Sequence, residues 1–336
     1  MSVRTPRTLE ALAHPAHACK NRAVPGSRHR QQLPQLEGRL FLTDGGLETS
    51  LIFHDGLDLP LFAAFPLLKD DEGTEALRKY YRPYMQLAAD NGTGFVLEAP
   101  TWRASPRWAG ELGMSDEELD SLNRRAVALM EELRDEYEPD GGAWVISGNI
   151  GPQDDGYNPQ TKLSADEAQE YHSTQIKTFA DTAADLVTVL TMTYADEAIG
   201  VARAASEAGM PAVISFTVET DGNLPNGQAL GDAIGEVEGA TGGSPAYYMI
   251  NCAHPAHFAD VLEGPWRERV RGLRANASMR SHAELDEAED LDDGDPQDLG
   301  ARYAALRDKL PALNVVGGCC GTDHRHVTEI CSAWHA

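Results

Sequence analysis

The sequence predicts a single eight-stranded parallel β/α barrel, and three observations predict it. Eight short runs rich in Val, Ile and Leu recur between residue 39 and the C-terminus, each separated from the next by a longer segment with helical patterning. The runs are largely apolar rather than alternating, as suits strands buried on both faces of a parallel sheet. The eighth run is itself followed by a helix, which suits a closed (β/α)8 TIM barrel better than the runner-up, a doubly wound open sheet.

Residues 1–38 read as an N-terminal tail, rich in Pro, His, Arg and Gln and without sustained periodicity, with a short helix expected near Thr8–Ala13. From residue 39 to 336 one domain is expected. Its strands are the runs Arg39–Thr43, Gly94–Glu98, Ala143–Gly148, Leu186–Leu190, Ala212–Val218, Tyr247–Cys252, Gly272–Asn276 and Asn314–Gly318. Gly73–Asn91 places Leu77, Tyr80, Tyr84 and Leu87 at helical spacing. Ser115 with Glu118, and Ser164 with Glu167, read as capping boxes that start two further helices. The helix Asp196–Ala208 should stop at Gly209 before Pro211. Helices are also expected at Ala229–Gly239, His257–Arg269, Asp298–Lys309 and Asp323–Ala333. The acidic stretch Glu284–Asp298 reads as a solvated insertion after the seventh strand.

Charge and cysteine usage exclude several function classes. The chain holds 28 basic and 53 acidic residues, a net charge of −25. Six basic residues against two acidic ones give residues 1–38 a net of +4, leaving −29 on the rest. Such a surface repels nucleic acid and anionic lipid. No apolar run approaches a membrane span, and the N-terminus lacks a secretory core, so a cytoplasmic protein is expected. Five cysteines in a long chain argue against a disulfide framework.

Barrel active sites lie at the C-terminal ends of the strands. There the sequence places Cys252 after the sixth run and Cys319 and Cys320 after the eighth, so three thiols meet at one mouth. Thiolates are soft ligands that favour Zn2+, and three protein ligands leave the open fourth position of a catalytic site. Gly317, Gly318 and Gly321 are expected to let the backbone turn so that adjacent cysteines face one ion. A barrel merely stabilised by zinc or by a vicinal disulfide is the structural alternative; a structural zinc would need a fourth protein ligand.

Asp44-Gly45-Gly46, Gly148-Asn149-Ile150-Gly151-Pro152, Asn251-Cys252 and Gly317-Gly318-Cys319-Cys320-Gly321-Thr322 together resemble the homocysteine S-methyltransferase family. The resemblance spans nearly all of residues 39–336. It implies a TIM barrel whose three cysteines bind zinc, with the sulfur of a small-molecule thiol as fourth ligand and a sulfonium, S-methylmethionine or S-adenosylmethionine, as methyl donor. A free thiol with a pKa near ~8.5 is mostly protonated at neutral pH, and coordination removes that proton.

By the same resemblance Asp44 receives the substrate's ammonium, with Asn251 beside Cys252 as a further substrate contact. Family members also carry a Glu at the end of the fourth strand, where this chain has Leu190. Glu98 or Glu219, at neighbouring strand ends, is the expected replacement. Leu190 also leaves open another thiol or selenol amino acid as acceptor. Trp102, Tyr157, Tyr194 and Tyr247 are aromatic candidates for holding a cationic donor.

Overall fold

The computed structural model describes residues 26–137, 143–288 and 290–335. Eight strands close into a barrel: β1 (Phe41–Leu42), β2 (Gly94–Glu98), β3 (Trp144–Ile150), β4 (Leu186–Met192), β5 (Ala212–Phe216), β6 (Tyr247–Asn251), β7 (Val270–Ala275) and β8 (Val315–Gly318). Each pairs in parallel with the next, and β8 returns to β1 through Phe41 opposite Val315. Every strand residue is buried except Arg271, which explains the unbroken apolar runs.

The two capping boxes start helices Asp116–Tyr137 and Ala165–Ala180. Ser115 and Glu118 bond each other's backbone N–H at 3.0 and 3.3 Å. Helix Ala195–Glu207 ends before Gly209 at φ 68°. The continuous helix expected over His257–Arg269 does not form. It is replaced by short turns at Pro255–Phe258, Ala259–Val261 and Pro265–Arg269, because Gly264 at φ 102° precedes a proline. The remaining long helices are Asp71–Asp90, Leu230–Thr241, Pro296–Leu306 and His324–His335. No helix among the described residues is long and apolar enough to cross a membrane.

The helix expected near Thr8–Ala13 lies outside the described residues. Residues 26–38, grouped by composition with the tail, pack on the N-terminal end of the barrel. Arg30 donates to the carbonyls of Ala180, Thr182 and Ala184, and the Asp185 carboxylate accepts from the N–H groups of Arg28 and His29, at 2.7 Å each. Leu33 joins an inner apolar layer with Phe41, Val96, Val145, Leu186, Val213, Tyr247, Met249 and Val315. The short turn Pro34–Glu37 brings Gln35 to the Tyr247 hydroxyl. Basic composition hid this packing, since only a few apolar side chains anchor the stretch.

Candidate active site

The opposite end of the barrel gathers the chemistry. Cys252 and Cys319 are joined as a disulfide with their Cα atoms 5.4 Å apart. The Cys320 sulfur lies 3.7 Å from that of Cys252, and all three sulfurs fall within 4.8 Å of one another. The pairing joins the ends of β6 and β8 rather than the vicinal Cys319 and Cys320. Successive residues of an extended chain point to opposite sides, so Cys319 meets a cross-strand partner more readily than its neighbour.

The glycines around the pair do two different jobs. Gly321, at φ 78°, fills the third position of a turn closed by the Thr322 N–H donating to the Cys319 carbonyl at 3.1 Å. That left-handed position strains any residue with a side chain. Gly317 and Gly318 lie in β8 and serve close approach instead of turning. A Cβ on the first would run into the Thr43 side chain, and one on the second into Thr322.

Three elements hold the sulfurs in place. The Tyr157 hydroxyl donates to the Cys252 sulfur at 3.2 Å and lies 3.7 Å from that of Cys320. Its ring stacks on His282 with centroids 4.1 Å apart. His282 Nε2 donates to the Cys252 carbonyl at 2.6 Å, and its Nδ1 sits 3.1 Å from the Glu219 carboxylate. The loop carrying Tyr157 is organised by Asp154, which accepts the N–H groups of Asp155, Gln160 and Thr161 and pairs with Arg107 at 2.6 Å. Asn251 braces the other side. Its Oδ1 accepts from the Thr191 N–H at 2.8 Å and the Ser215 hydroxyl at 2.6 Å, while Nδ2 donates to the Thr191 hydroxyl at 2.9 Å. This clamp holds Thr191 at φ 64°, an outlying conformation for a β-branched residue, where the β4–β5 register shifts. Asn251 therefore positions the strand end, and its amide oxygen is already occupied.

The sulfurs open into a cavity of about 330 Å³. Asp44, Glu98, Leu190, Asn251, Cys252, Cys319 and Cys320 all line it; Glu219 does not. Glu219 is turned aside to His282, which removes it from the candidates for substrate contact. Trp102 and Tyr157 line the cavity too. Tyr194 instead accepts the Leu163 N–H, and Tyr247 lies at the far end of the barrel against Gln35, because it begins β6 rather than ending it. Leu285, Asp286, Asp290, Leu291 and Asp292 line the cavity as well, while Asp286 and Asp290 stay exposed, so part of the acidic insertion is solvated as expected and also borders the cavity.

Sequence reasoning missed Arg274 entirely. Arg274 Nη1 lies 2.8 Å from the Asp44 carboxylate, Nε donates to the Gly318 carbonyl at 2.9 Å, and Nη2 donates to that of Gly45 at 3.0 Å. The Tyr80 hydroxyl donates to the other Asp44 oxygen at 3.0 Å. Burial works against the charge on Arg274, yet Asp44 and Glu98 hold its pKa above the usual value. Glu48 and Glu98 were under-read: burial pushes each carboxyl up to about 7. The only sequence signal for Arg274 was a charged residue inside an apolar strand.

The donor set fits a soft cation. Three sulfurs converge, and no fourth His, Cys or carboxylate joins them among the described residues. Burial pushes the Cys320 thiol up to about 11, so a thiolate there requires a positive charge beside it.

The homocysteine S-methyltransferase family model matches residues 41–334. Methionine synthase of Mycobacterium tuberculosis (strain ATCC 25618 / H37Rv) is 26% identical over 328 residues, 90% of this chain; the chain spans only 25% of that protein's length. Homocysteine S-methyltransferase 1 of Brassica oleracea var. italica is 25% identical over 67% of this chain and 72% of its own. Selenocysteine methyltransferase of Astragalus bisulcatus is 25% identical with the same coverage. In fold, the chain is similar to the homocysteine methyltransferase MmuM of Escherichia coli in its oxidized form. The TM-score is 0.70 at 18% identity, over 91% of this chain and 99% of that one. The metallated form gives 0.67 at 18% identity, over 88% and 96%.

Proposed function

The chain belongs to the homocysteine S-methyltransferase family of methyltransferases, and from that membership we propose that it moves a methyl group from a sulfonium donor to the thiolate of homocysteine, giving methionine. The observation that carries this reading is the convergence of three sulfurs on one carboxylate-lined cavity at the C-terminal mouth of the barrel. Cys252, Cys319 and Cys320 would hold Zn2+ once the Cys252–Cys319 bond is reduced. When bound, zinc supplies the positive charge that keeps a substrate sulfur deprotonated and nucleophilic at neutral pH.

The chain's own residues do the rest. Tyr157 donates a hydrogen bond to the Cys252 sulfur and fixes its direction. His282 anchors the Cys252 backbone, and the Asn251 clamp fixes the end of β4 across the mouth. Seven carboxylates line the cavity (Asp44, Glu48, Glu98, Asp155, Asp286, Asp290 and Asp292) against two guanidiniums, Arg103 and Arg274. That balance favours a cationic methyl donor. A cavity of about 330 Å³ is at the small end for ligand sites, which favours S-methylmethionine over the bulkier S-adenosylmethionine. Trp102 and Tyr157 offer the sulfonium aromatic faces.

A second acceptor, a selenol or other thiol amino acid, is favoured by one observation: Leu190 stands where an acidic residue is expected. The test is transfer from unlabelled S-methylmethionine, which leaves as unlabelled methionine, to homocysteine or selenocysteine deuterated on its carbon chain, read by mass spectrometry. Labelled methionine from homocysteine supports the first reading, and labelled product from selenocysteine alone supports the second. No labelled product from either acceptor, with reduced zinc-loaded protein, contradicts both.

A further inference from the structure

We propose that Glu98, together with the amide oxygen of Asn149, receives the ammonium group of the thiol substrate and thereby selects an α-amino thiol. The inference rests on the thiol-methylation reading and names the specificity-determining group for its acceptor.

Of the other carboxylates that line the cavity, Asp155 accepts two backbone N–H groups and faces Arg103 at 3.7 Å, Asp292 accepts from Ser278, Asp286 and Asp290 are exposed, and Glu48 is only partly buried. Asp44 is paired with Arg274 at 2.8 Å and accepts from Tyr80, so an incoming ammonium would have to displace a built-in cation. That cation is itself anchored on the carbonyls of Gly318 and Gly45. Leu190 offers no charge, and Glu219 faces His282 outside the cavity. Glu98 ends β2, is 3% exposed and lines the cavity, and its Oε2 has no hydrogen-bond partner. Asn149, at 9% exposure, lines the same cavity with its Oδ1 also unpartnered.

A buried carboxylate oxygen and a buried amide oxygen left without donors are costly unless a ligand completes them. Both atoms are acceptors, and one is charged. An ammonium, with three N–H donors and a positive charge, is the complement of two such acceptors. Ser147 on β3 and Thr188 on β4 bond to each other through their hydroxyls at 2.8 Å. The raised pKa of Glu98 is the same unmet demand expressed as proton affinity.

The test is calorimetric binding of two probes to the reduced protein: L-methionine and its desamino analogue, 4-(methylthio)butanoate. The wild type should bind methionine roughly tenfold to a hundredfold more tightly, the range for a charge-assisted hydrogen bond. Glu98→Gln should erase that preference while binding the desamino probe as the wild type does, which also shows the variant is folded. Leu190→Glu added to Glu98→Gln should restore part of it. In turnover, Glu98→Gln should raise KM for homocysteine with kcat nearly unchanged. Equal binding of the two probes, no methionine binding at millimolar concentration, or an undiminished preference in Glu98→Gln overturns the proposal. Failure of methyl transfer with the preference intact would instead sink the functional reading alone.

Discussion

The two ends of the barrel are built on opposite principles. The N-terminal end is an apolar layer of Leu33, Phe41, Val96, Val145 and their neighbours, closed by residues 26–38. The C-terminal end buries Asp44, Glu98, Asn149 and Arg274, with several polar atoms lacking partners. The first end lowers the free energy of folding by removing apolar surface from water. The second raises it by desolvating charge, and only Arg274 or a ligand offsets that cost. One strand can serve both ends because its first residues face the plug and its last face the mouth: β6 runs from Tyr247 at Gln35 to Asn251 beside the sulfurs.

Breaking the mouth should therefore cost more than thinning the plug. Arg274→Met strips Asp44 of its buried partner and should lower stability by about 3–5 kcal/mol. Adding Asp44→Asn should recover much of that loss, measured by urea unfolding of the single and double variants. Leu33→Ala at the other end should cost about 2–3 kcal/mol through lost burial. It should leave methyl transfer intact, because no group in the cavity touches it.

The smallest effect is a pH dependence with a definite sign. Burial holds the Glu98 pKa near 7, above its unfolded value, so the folded chain binds the extra proton. Its stability is then greatest below the unfolded glutamate pKa and falls as pH rises toward about 7. Glu48 adds a slope of the same sign. Glu98→Gln should flatten part of this slope, raising the Tm at pH 8 by a few degrees and leaving it nearly unchanged at pH 4. An unaltered pH profile would mean the Glu98 carboxylate is already neutralised.

The same contrast explains what could be read in advance. Runs such as Ala212–Val218 are mostly apolar because both faces are covered, so the barrel was legible from the recurrence of eight such runs. The sulfur cluster was legible because residues at the ends of β6 and β8 share a mouth in any such barrel. Arg274 was not, because its partner Asp44 lies 230 residues away and sequence carries no sign of which charges meet. The place of Leu285 and Leu291 at the cavity was hidden for a related reason: two leucines among acids carry no periodicity. Residues 26–38 were hidden because their docking rests on side-chain-to-backbone hydrogen bonds, donated by Arg30 and accepted by Asp185, and such bonds leave no pattern.

The most direct test of the central claim is the zinc content of anaerobically reduced protein, with X-ray absorption at the zinc edge before and after homocysteine is added. About one zinc per chain is expected, with three sulfur neighbours that become four when homocysteine binds. Reduced protein that binds no zinc, or zinc whose sulfur shell does not change with homocysteine, would contradict the account.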